Sequence, residues 1–191
     1  YGEDLVDQAI SSRPRLVAKH FNLELLNLAK PAYSNDLMVG DLVDLELDSS
    51  DLVVVGWTSL MRLGLKDQAG SYSIRANARG LNLGRQQINE LLLKTLDLNW
   101  MVDRWLQQVL LMQSYLENKG VEYRFLAAFD CLNVVPDLHP LASKINKDKF
   151  IGWPRQQMVE MVYLTALAPK GHPAEAGHKL IADEVIKSLQ A

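Results

Sequence analysis

One cysteine, Cys131, is all that the 191 residues carry, which excludes an internal disulfide and any cysteine-cluster zinc site. Beside an apolar run, that thiol reads as a small buried side chain rather than a nucleophile. A basic excess is missing too. The 20 Lys and Arg against 23 Asp and Glu leave a formal net charge of −3, whereas a chain that tracks a phosphate backbone needs clustered cations. Nucleic acid is therefore not an expected partner. No apolar run approaches the roughly 20 residues that span a bilayer, so no membrane partner is expected either. Gly80 and Gly84 follow no strand and make no dinucleotide fingerprint. A flavodoxin-like or Rossmann-like nucleotide-binding protein would have the right layers but no phosphate-cradling loop. Nor is there an initiator methionine: the chain opens "YGEDLVDQAI", which leaves room for an upstream segment, a targeting sequence among the options.

What is present suits one globular domain, 1–191. Hydrophobic residues make up 48% and charged residues 23%, an ordinary balance for a chain long enough to bury a sizeable core. Helical spacing of Leu16, Val17, His20 and Phe21 predicts a helix over 11–22. "LELLNLA" (23–29) is a short apolar run ahead of a polar turn and predicts a strand. Asn35 or Asp36 can cap a following helix, "DLMVGDLVDLEL". "SDLVVVGWTS" (50–59) is the strongest strand signal, its consecutive β-branched residues suited to a strand covered on both faces. Residues 62–85 have no strong period and read as an excursion or lid. A long helix over about 86–118 follows, with Leu92, Leu96, Met101, Trp105, Val109 and Met112 as its buried stripe. Asn118-Lys119-Gly120 stops it, and "VEYRFLAAFD" predicts a strand ending at Phe129-Asp130. The chain closes on "APKGHPAEAGHKLIADEV" (168–185), a loop and an amphipathic helix. Strands alternating with helices predict an α/β fold: a three-layer α/β/α sandwich around a doubly wound, mostly parallel sheet. In it the runs 23–29, 52–56 and 122–129 are neighbouring parallel strands. Ligands of such sheets sit at the carboxyl ends of the strands, so the residues just after each strand are the candidates.

Those strand-end segments, in this order, resemble the SGNH (GDSL-type) hydrolases, in particular divergent phage and bacterial members. "YGEDL" resembles the tail of the family's first block, whose Gly-Asp-Ser and strand would lie upstream of Tyr1, beside both 23–29 and 52–56. "NLAKPAYSND" (27–36) resembles the second block, with Ala32 at the glycine whose N–H enters the oxyanion hole. "VVVGWTS" resembles the third, Gly-x-Asn-Asp: Gly56 matches and Thr58 stands at the asparagine. "GHPAEAGHKLIADEVIKSL" resembles the last, with His172 at the catalytic histidine and Pro169 where the family has an aspartate.

The resemblance implies acyl transfer to serine and then to water, with no cofactor and no metal. His172 would take the serine proton and return it to the leaving alcohol. Asp130, at a neighbouring strand end, can stand in for the missing aspartate. A backbone carbonyl would also serve, and Asp130 reads equally as a turn residue. The oxyanion donors would be the serine N–H, the Ala32 N–H, and Thr58 or Asn35. Arg62 is a substrate-binding candidate or a solvated arginine. Trp57 and Trp153 line a pocket or fill the core. His139 precedes a proline as His172 does but lacks the following turn and helix, and His178 and His20 read as structural. The expected substrate is a small-molecule or glycan ester, such as an acetyl group on carbohydrate. The rival expectation is a catalytically silent SGNH-like glycan-binding or structural module. The remaining expectations are a homo-oligomer or virion assembly and a soluble, cytoplasmic or virion-associated location.

Overall fold

The computed structural model describes residues 12–31, 33–67, 70–75, 87, 90–91, 94–128, 131–136, 139–162 and 173–191. Over these residues the protein is mixed α/β. Helix α1 spans Arg13–Phe21, with a proline in its first turn and Asn22 closing it in the left-handed region at φ 54. Helix α2 spans Asn35–Val43. Strand β1, Leu52–Trp57, pairs in parallel with β4, Glu122–Ala127, from Leu52↔Glu122 to Trp57↔Ala127. Between them in sequence lie an antiparallel hairpin, β2 (Arg62–Asp67) and β3 (Gly70–Arg75), and the long helix α3 (Leu98–Lys119). Three 3-10 turns, the short helix α4 (Met158–Met161) and the terminal helix α5 (Glu175–Gln190) complete the described elements. No helix among the described residues is long and apolar enough to cross a membrane.

Alternate residues of the parallel pair feed two separate cores, as strand periodicity requires. Val53, Val55 and Trp57 of β1 join Tyr123, Phe125 and Ala127 of β4 against the α3 stripe Met101, Trp105, Val109 and Met112. Trp57 meets Phe125 edge to face at 5.4 Å between ring centres, the arrangement the ring quadrupoles favour. Leu126 instead packs with Val17 of α1, Met158 and Val162 around α4, and Ile181, Ala182 and Val185 of α5. The far side of β4 takes a parallel bridge from Phe150, with Ile151 N–H donating to the Phe125 carbonyl at 2.8 Å. The pairing of 52–57 with 122–127 is as expected, and among the described residues the parallel sheet consists of that one pair.

Several expectations are corrected. The run 23–29 belongs to no β-ladder. It is apolar enough for a strand, but no neighbouring strand among the described residues takes its backbone groups. The long helix starts at Leu98 rather than running unbroken from 86, because the Asp97 side chain accepts from Trp100 N–H at 2.9 Å and caps it there. Leu96 lies ahead of that cap and Leu92 outside the described residues. Gly120, at φ 68, ends the helix as the sequence predicts. Neither Asn35 nor Asp36 occupies the cap of α2. Ser34 does, and Asn35 begins the helix. The expected excursion 62–85 is regular over its first half, where β2 and β3 form the hairpin, and 76–85 lie outside the described residues. Strand β4 ends at Ala127.

Candidate functional site

The carboxyl end of β1 meets the start of α2. The Asn35 side chain grips the Thr58 peptide at both ends: Oδ1 accepts from Thr58 N–H at 2.8 Å and Nδ2 donates to the Thr58 carbonyl at 3.1 Å. Both residues are buried, and this pairing satisfies groups that would be costly to leave unmade. The Cys131 thiol donates to the same carbonyl at 3.0 Å, which makes it a buried structural side chain and ties the segment after β4 to the segment after β1. Arg62 Nη1 donates to Thr58 Oγ1 at 2.6 Å and to the Tyr33 carbonyl at 3.4 Å. As acceptor from Arg62, the Thr58 hydroxyl keeps its own proton to donate elsewhere.

One residue further on, Asp36 accepts from Gly64 N–H through both carboxylate oxygens, at 3.0 and 3.2 Å. It also pairs with Arg104 of α3 at 3.1 Å. Its charge sits in the first turn of α2, where the helix dipole favours an anion. A Cβ on Gly64 would overlap the Asp36 carboxylate, Leu37 and Ser34 Oγ, so this close approach requires glycine. Ser34 Oγ is fully buried and has no hydrogen-bond partner among the described residues.

Of the residues singled out in the sequence, Asn35, Thr58 and Arg62 therefore come together. Gly56 lies on the neighbouring face: a Cβ there would stand 2.9 Å from Met158 Cε and 3.4 Å from Arg13 Nη2. His172, Asp130 and Ala32 fall outside the described residues. His139 is committed elsewhere, its Nδ1 accepting from Leu141 N–H at 3.2 Å and its Nε2 paired with Asp103 at 2.8 Å. That pattern puts the ring proton on Nε2 and ties the loop to α3. His178 lies in α5 with Nδ1 buried and without a partner among the described residues. Burial and the nearby Arg13 charge hold its pKa below the ordinary histidine value. His20 is exposed, against Phe21 and Gln190. Trp57 is core, and Trp153 packs on Phe150 at 5.1 Å. No group of three or more His, Cys, Asp or Glu among the described residues could hold a metal ion.

Sequence reasoning missed Ser34, Asp36 and Arg104 as builders of this corner, and Arg13 beside it. The "SND" triplet before a helix carried a capping signal, but nothing local showed that its side chains reach 23 and 28 residues along the chain. No family model, no curated protein and no solved structure matches the chain.

Proposed function

We propose that this chain acts as an SGNH-type serine hydrolase on acyl or acetyl esters, within a three-layer α/β/α sandwich. The observation that carries the reading is the meeting of Asn35, Thr58 and Arg62 at the carboxyl end of β1, where a doubly wound sheet holds its ligands. In the proposed reaction a serine upstream of Tyr1 attacks the ester carbonyl and His172 takes its proton. The C–O bond to the alcohol breaks as His172 returns that proton to the leaving oxygen, and water then releases the acid by the same route. The Ala32 N–H and the Thr58 hydroxyl proton would face the oxyanion, with Arg62 holding the Thr58 oxygen in place. One such donor is worth on the order of a hundredfold in rate. Asp130 would orient His172. The substrate is a small-molecule or glycan ester, and no metal enters the scheme.

The test is turnover of p-nitrophenyl acetate and of an acetylated glycan by the protein carrying its upstream segment. His172→Ala abolishes turnover on this reading while His178→Ala spares it. Turnover that survives His172→Ala overturns the assignment. A specific observation favours the second reading, a catalytically silent binding or structural module. The Asn35 amide, which could have donated to an oxyanion, is already engaged at both ends by the Thr58 peptide. Glycan binding without hydrolysis in the same assay would decide for it.

A further inference from the structure

Of the four tryptophans, Trp57 and Trp105 are core and Trp153 packs on Phe150, whereas Trp100 keeps 48% of its surface open. A side chain this large is usually buried over most of its area. Trp100 is nonetheless held firmly. Asp97, the cap of α3, accepts from its backbone N–H at 2.9 Å. Arg104, one turn further on, lays its guanidinium over the indole at 5.8 Å from the ring centre. Arg104 is fixed in turn by Asp36 at 3.1 Å, and its neighbour Asp103 pairs with His139 at 2.8 Å. Residues three and four apart share one helix face, so Trp100, Asp103 and Arg104 stand together: an open aromatic ring with a polar edge.

This face stands at the functional end of the sheet. Gly120 closes α3 and β4 begins at Glu122, so the helix runs opposite to the strand and its first turn lies at the strands' carboxyl end. A chain of contacts leads there from the candidate site: Asn35 holds the Thr58 peptide, Asp36 follows it, and Arg104 joins Asp36 to Trp100. The chemistry of the face selects its ligand. An aromatic face is negative and attracts C–H groups polarised by neighbouring oxygens, which one side of a sugar ring presents. The sugar's hydroxyl edge finds an acceptor in the half-exposed Asp103 carboxylate and a donor in Arg104. Each of those charges already has a partner, which suits a neutral ligand better than an anion. Protein interface cores are depleted of charged residues, so the same polar edge argues against a second protein chain.

We infer that Trp100 is a saccharide platform: one ring of a neutral glycan stacks on the indole while its hydroxyls bond with Asp103 and Arg104. The inference rests on the hydrolase reading for the place of the ester, and it narrows the substrate to esters carried on glycan. Trp100 binds and orients the sugar and takes no part in acyl transfer.

The test is protection of the indole from oxidation by N-bromosuccinimide, read at each tryptophan by peptide mass mapping. The probes are neutral oligosaccharides of glucose, xylose and N-acetylglucosamine, each with and without O-acetyl groups, at millimolar concentration. Trp100 should oxidise ahead of the other tryptophans, and at least one probe should slow that oxidation by about tenfold or more. Calorimetric titration with that probe should show Kd raised by about tenfold or more in Trp100→Ala, and by no more than about threefold in Trp100→Phe, which keeps a stacking face. Failure of every probe to protect Trp100 overturns the proposal. So does a Kd unchanged in Trp100→Ala. A Trp100 that resists oxidation only as the protein self-associates also overturns it, and assigns the ring, with the exposed Leu98 beside it, to contact between copies. Protection of Trp100 without turnover of the acetylated probes would sink the hydrolase reading and leave the platform in place; turnover with Trp100 unprotected would do the reverse.

Discussion

The two edges of the parallel pair are built differently. On its outer side β4 meets Phe150 in a parallel bridge, and its buried face packs against a filled stripe of α3. The outer edge of β1 faces an open apolar groove with 23–29 across it. The wholly uncharged strand, "LVVVGW", has the open edge, and "EYRFLA", with its Glu122 and Arg124, has the covered one, so apolar composition alone does not mark which edge is filled. What separates them, among the described residues, is whether another piece of chain supplies backbone partners. An apolar strand specifies a buried place, and its neighbours decide whether the place is filled.

Substitution on the filled side should cost most. Trp105→Ala removes a fully buried ring between β4 and α3 and is expected to destabilise by about 3–5 kcal/mol, read from urea unfolding. A loss under about 1 kcal/mol would mean that this face is no better packed than the groove.

The corner between the two edges comes next. Asn35→Ala leaves the Thr58 N–H buried without its acceptor and takes one of two donors from its carbonyl, an expected cost of about 1–3 kcal/mol. Asn35→Asp keeps the acceptor for Thr58 N–H but sets a carboxylate oxygen against the Thr58 carbonyl, and should be no better than alanine. An Asp variant as stable as wild type would show that the grip works through Oδ1 alone.

A smaller effect is expected from pH on the α5 side. Because the folded pKa of His178 lies below its ordinary value of 6.5, the unfolded chain binds the extra proton first. Its contribution is present above about pH 6.5 and is lost as pH falls toward the folded pKa. The urea midpoint should therefore drop on acidification through this window, and His178→Gln should flatten that part of the profile. An unchanged profile would detach His178 from the Arg13 cluster.

The smallest effect belongs to the groove. Leu26→Ser changes a side chain that is mostly solvent-exposed in this chain and should shift stability by no more than about 0.5 kcal/mol. Urea unfolding reads the shift, and a loss above about 1 kcal/mol would mean that this wall of the groove is packed.

Local signals were enough for the elements that depend on near neighbours. The α3 stripe followed from helical spacing, because residues three and four apart share a face whatever lies beyond. Its end at Gly120 followed from the left-handed backbone a glycine accepts readily. The parallel pairing of 52–57 with 122–127 followed from two apolar runs separated by a crossover helix. The sequence alone also brought Asn35, Thr58 and Arg62 under suspicion as strand-end residues.

Only the tertiary structure decided the rest. A short apolar run such as 23–29 has the same composition whether it joins a ladder or walls a groove, and the presence of hydrogen-bonding neighbours settles which. The start of α3 passed from a long periodic run to Leu98 because one aspartate found a backbone N–H. Asn35, marked as an oxyanion candidate, holds the backbone N–H and carbonyl of a residue 23 positions away, since a buried N–H and carbonyl must be satisfied by whatever side chain the fold brings within reach.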